Sequence, residues 1–164
     1  VEQHYRDNRL NPIHEGTHGI QSLDLLGRKV TQQGGASLVE LSKTVAATVS
    51  RATALAGESA AMAKQLDEAW QRMVSVTASM FAAGDVDAAL ANSAVYLEAF
   101  GHLVIAWAWL EQIVAAHGRS GDFYDGKRYA ARYFYTYELP KTGPQLDLLQ
   151  SLDRTTLEMR DGWF

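Results

Sequence analysis

Ser59–Met80, SAAMAKQLDEAWQRMVSVTASM, places Met62, Leu66, Ala69, Met73, Val76 and Met80 at alternating steps of four and three. Side chains at that spacing share one face of an α-helix, whereas a half-buried strand needs a step of two. The stretch therefore predicts a helix packed through an apolar seam against other helices. Its methionines read as core residues that fill irregular gaps between helices, not as a binding site. Gly84 and Asp85 follow as a stop and the N-cap of the next helix.

Outward from this seam the same period continues. Upstream, Leu38, Leu41, Val45, Val49 and Ala52 stand at helical spacing, with Ser37 and Glu40 in the pattern of a capping box. Gly57 is compatible with a helix end or with a longer helix through it. Downstream, Val86–His117 reads as one long helix whose apolar residues, among them Leu90, Tyr96, Phe100, Leu103, Trp107 and Leu110, wrap most of its circumference. Such a helix belongs in the middle of a bundle, and His102 within it reads as a hydrogen-bonded, at least half-buried residue. After a turn at Gly118–Asp122, Phe123–Leu139 forms the next predicted helix, which Pro140 ends. Its Tyr129, Tyr133 and Tyr137 alternate with Lys127, Arg128 and Arg132, a mixture that packing and snorkelling explain. Pro144 suits the first turn of a last helix with Leu146, Leu149 and Leu152 inward. There is no strand-like alternation and no internal repeat. The fold class is all-α, an up-down helical bundle with short turns.

The chain has 164 residues, enough to bury a core, and no cysteine, which excludes disulfides, thiolate catalysis and cysteine zinc sites. Fifteen basic and nineteen acidic residues give a net charge of −4, with no basic cluster to follow a phosphate backbone, so nucleic acid is not an expected partner. The most apolar run, Ala99–Leu110, is interrupted by His102 and too short for the ~20 residues of a membrane span. The chain opens on charged residues and lacks a secretory leader pattern, and the expected location is cytoplasmic. Val1–Asp7 reads as the end of a helix already under way, so the chain is expected to be a piece of a longer protein.

His14-Glu15-Gly16-Thr17-His18-Gly19-Ile20-Gln21 carries the chemistry, and it fits two incompatible patterns. Read as H-E-x-x-H it proposes a zinc hydrolase, which needs both imidazoles one turn apart in a regular helix. Pro12 before it, and Gly16 and Gly19 within it, oppose that helix. A helix starting after Glu15 is more natural, and then His14 points away from His18. Neither His102 nor His117 offers a recognisable third ligand.

Read whole, the segment from Tyr5 through Glu15-Gly16-Thr17 and Gly19-Ile20-Gln21 to Lys29 resembles the catalytic segment of the flavin-dependent acyl-CoA dehydrogenases. Ala131–Pro140 is similar to the extra C-terminal helical domain of the longer members, which include those acting on methylmercaptopropionyl-CoA. The resemblance implies that residues 1–33 end a catalytic helical domain and residues 34–164 form an appended bundle, the polar Thr31–Ala36 break separating them. It implies that Glu15 is the base that removes the proton beside an acyl-CoA carbonyl, while a hydride passes to FAD. By the same resemblance the Glu15 backbone N–H would polarise that carbonyl and Thr17 and Gly19 would contact the flavin, Gly19 through its backbone alone, while Gly16, lacking a side chain, would admit the substrate arm. Thr17 also suits the N-cap of the helix that follows, Gly16 to about Lys29, with Ile20, Leu23 and Leu26 on one face. His14 stands where the family usually has an aromatic residue, and His18 at a variable position. An acyl-CoA substrate, an electron-transferring flavoprotein partner and a homo-oligomer are implied for the whole enzyme, with the isolated chain inactive. A non-catalytic helical scaffold is the other reading.

Overall fold

A computed structural model describes residues 1–10 and 17–163, and every element among them is helical. In chain order they are α1 (Glu2–Asn8), α2 (His18–Leu23), α3 (Gln32–Ala54), α4 (Gly57–Ala82), α5 (Val86–Ala91), α6 (Ser93–Ala115), α7 (Asp122–Tyr133), α8 (Thr142–Ser151) and α9 (Thr155–Glu158). Two wide π-turns extend α2 over Asp24–Lys29 and α7 over Phe134–Glu138, and a 3-10 turn, Leu139–Lys141, joins the latter to α8.

The predicted seam is the centre of the molecule. Met62, Leu66, Met73, Val76 and Met80 on α4 are buried against Val45 and Ala52 of α3, Tyr96, Leu103 and Leu110 of α6, and Leu146 and Leu149 of α8. The short connection between α3 and α4 folds one back on the other, and α6 packs against α2, α3, α4, α7 and α8. Among the described residues Ser93–Ala115 is the one helix long and apolar enough, at a mean hydropathy of 1.3, to cross a membrane by composition. A third of that apolar stretch is buried, and the helix packs against five others of the bundle. Leu26 and Val30, which follow α2, share the same core.

Several local expectations change. The stretch Val86–His117 is two helices, broken at Asn92 (φ −109°, ψ 27°). Asn92 Nδ2 donates to the Asp153 carbonyl at 2.8 Å, and Thr156 Oγ1 donates to the Ala91 carbonyl, an acceptor that a continuous helix would have used itself. Asp85 does cap α5, accepting from Ala88 N at 3.0 Å. Pro140 does not end α7 abruptly; the π-turn and the 3-10 turn absorb its missing N–H and its ring, and the chain runs on into α8. The Ser37–Glu40 capping box is replaced by a left-handed turn, Gln33, Gly34 and Gly35 all having positive φ, and Glu40 reaches forward to Lys43. Gly57 begins α4, after Ala56 at φ 59°.

Candidate functional site

α2 begins at His18, with Thr17 before it; His14, Glu15 and Gly16 lie outside the described residues. Thr17 occupies the N-cap position, half-buried, but its side chain does not cap the helix. At φ −90°, ψ −8° its backbone is already helical, while a capping hydroxyl needs an extended backbone to reach the N–H groups ahead. Instead Thr17 Oγ1 accepts from Gln21 Nε2 at 3.1 Å, one turn on, and the Thr17 carbonyl accepts from Gln21 N at 2.8 Å.

Gly19 is exposed, and a Cβ built on it would meet nothing within 4 Å. His18 beside it is exposed as well. The expected inward face of Ile20, Leu23 and Leu26 is only partly inward: Leu26 is fully buried, while Ile20 is 71% and Leu23 48% exposed. The helix docks instead through Ser22, which is 1% exposed, and through Leu26 and Val30. Ser22 Oγ lies 3.0 Å from Ser93 Oγ at the start of α6 and donates to the Gly19 carbonyl at 2.9 Å. In the following π-turn, where Val30 N donates to the Leu25 carbonyl at 2.9 Å, Gly27 lies against Leu90 of α5, a Cβ there meeting its side chain at 3.4 Å. Asp24 pairs with Arg28 at 2.5 Å and Lys29 at 3.4 Å, and the Arg28 hydrogen bond holds its carboxyl below the usual range.

His14 lies outside the described residues, and His18, His102 and His117 stand apart from one another. His18 faces solvent at the first position of α2. His102 is half-buried, its Nδ1 2.9 Å from the Glu98 carbonyl and its Nε2 3.7 Å from Glu138. His117 lies beyond the end of α6, in a small hollow with Glu58 and Arg128. Among the described residues no group of three His, Asp or Glu side chains converges.

Thr17 and Gly19 are thus both placed at the start of α2, Thr17 half-buried with its hydroxyl held by Gln21 and Gly19 exposed. Two features were not anticipated. The Thr17–Gln21 bond has a signal, since polar residues four apart on a helix face each other. The Ser22–Ser93 bond has none, because its partners lie 71 residues apart.

These features define an all-α helical domain. Residues 39–160 match the family model described as acetyl-CoA dehydrogenase C-terminal like, and the chain belongs to that family. It is similar to the broad-specificity linear acyl-CoA dehydrogenase of Mycobacterium tuberculosis, at 27% identity over all of this chain and 29% of the relative. It is also similar to the 3-methylmercaptopropionyl-CoA dehydrogenase of Ruegeria pomeroyi, at 32% identity over 82% of this chain and 24% of the relative. The chain spans less than a third of the length of either relative.

Proposed function

We propose that this chain is the C-terminal part of an enzyme that oxidises an acyl-CoA thioester to the 2-enoyl-CoA. The family match over residues 39–160, joined to a Glu15-Gly16-Thr17 segment that leads into α2, is the observation that carries the reading. Residues 1–33 complete the catalytic helical domain and residues 34–164 form the appended bundle. Glu15 takes the proton from the carbon beside the thioester carbonyl. That proton is only weakly acidic, so the carbonyl must be polarised by fixed donors as enolate charge develops, and the Glu15 N–H is one of them. Once substrate excludes water around Glu15, burial raises its pKa and makes it a stronger base. FAD, when bound, supplies the hydride acceptor. Thr17 holds it through its hydroxyl and Gly19 through its backbone, while Gly16 lets the substrate arm approach the chain closely.

The remaining walls of the site belong to the rest of the enzyme, so the isolated chain is inactive. The whole enzyme works as a homo-oligomer and passes its electrons to an electron-transferring flavoprotein. The test is Glu15→Gln in the full-length protein. It should keep its flavin absorption and lose turnover by roughly 10²–10⁴-fold, the usual contribution of a general base. Unchanged turnover would reject Glu15 as the base.

A further inference from the structure

The helix proposed to hold the flavin is tied to the bundle by a directional pair of hydroxyls. Ser22 and Ser93 are buried at 1% and 6% exposure, and nothing in the flavin reading uses either. The Gly19 carbonyl can only accept, so the single proton of Ser22 goes to it, over 2.9 Å. The other bond, 3.0 Å long, must then run from the Ser93 hydroxyl to Ser22 Oγ. A relay results, from the first residue of α6 through Ser22 to the backbone of Gly19. Gly19 has no side chain to pack and open space around it, so the Ser22 bond adds a side-chain hold to a peptide otherwise kept only by the backbone of α2. Leu26 in the core and Gly27 against Leu90 hold the far end of the same segment, the Gln21 bonds to Thr17 close the first turn on itself, and the Ser22–Ser93 bond ties that turn to α6.

We infer that Ser22 and Ser93 are positioning residues through which the C-terminal bundle sets the affinity of the Thr17–Gly19 turn for the flavin. The inference rests on the proposed flavin contact of that turn. It gives the bundle a role in cofactor retention.

The experiment measures FAD affinity of the full-length apoprotein by fluorescence titration, with Tm recorded in parallel. The variants are Ser22→Ala, Ser93→Ala and their double, with Leu149→Ala as a core variant in α8, away from α2. Each serine variant should bind FAD about tenfold more weakly, as expected when a buried hydrogen bond is removed. The double should be little worse than Ser22→Ala alone, because both act through one chain of bonds. Leu149→Ala should lower Tm and leave FAD affinity unchanged. If the serine variants lower Tm but bind FAD as the wild type does, the pair is merely structural and the inference is overturned. If the wild-type protein takes up no FAD, the flavin reading itself fails and the inference falls with it.

Discussion

Ala56 stands at φ 59°, ψ −171°, a backbone region that glycine enters freely and a residue with a Cβ does not. It is held there because α3 and α4 must reverse direction across Leu55 and Ala56. Replacing Ala56 with glycine should raise the stability of the protein by about 1 kcal/mol, the strain relieved exceeding the added chain entropy. A urea midpoint that moves down instead would contradict this. The neighbouring Gly57 shows why the sequence left the turn open: a glycine is compatible with a helix end or a helix interior, and the demanding conformation falls partly on the alanine before it. Thr17 was legible as a position and not as a contact. Its residue type suits a cap, but a helical backbone turns the hydroxyl towards Gln21.

The helices read most clearly where burial is one-sided. The α4 seam was visible because five of its six marked positions are buried and the sixth, Ala69, packs partly against the core. The break at Asn92 was hidden because apolar residues continue on both sides, and what divides α5 from α6 comes from the far end of the chain. Asn92→Ala should therefore loosen the segment after Ser151 while leaving the core intact. With one hydrogen bond lost, tryptic cleavage at Arg154 and Arg160 should speed up about fivefold. An unchanged cleavage rate would show that the Arg154–Asp85 pair, 2.6 Å apart, suffices to hold it. The outward turn of Ile20 and Leu23 was missed for a geometric reason. A strict step of three drifts around a helix axis, so those two positions and Leu26 do not share one face once Ser22 fixes the inward side.

The bundle as a whole encloses two phenols. Tyr96 donates to Thr77 Oγ1 at 2.9 Å, since the Thr77 proton goes to the Met73 carbonyl, and Tyr135 donates to the Ala106 carbonyl at 2.9 Å. Burial pushes Tyr96 from 10.0 up to about 12, and raises Tyr135 as well. An unfolded tyrosine ionises from pH 10 upward while folded Tyr96 keeps its proton, so the unfolded state binds fewer protons there and stability falls as pH rises from 10 towards about 12. Tyr96→Phe should flatten that alkaline decline, read as urea midpoints on either side of pH 10; an equally steep decline in the variant would exclude the phenol as its cause. All-α architecture and the order of its main helices were thus accessible from periodicity and punctuation. The open start of α2 and its serine tether were not, because they depend on which face a short helix presents to a partner distant in sequence.

The two π-turns carry a consequence for how this family tolerates change. Each holds one residue more than an α-helix of equal length. Asp24–Lys29 and Phe134–Glu138 are therefore places where an ancestor could gain or shed a single amino acid without displacing what flanks it. One-residue gaps that fall mid-helix between homologues are physically admissible at these two sites, whereas elsewhere in the same helices a gap would rotate every later side chain by about 100° away from its neighbours.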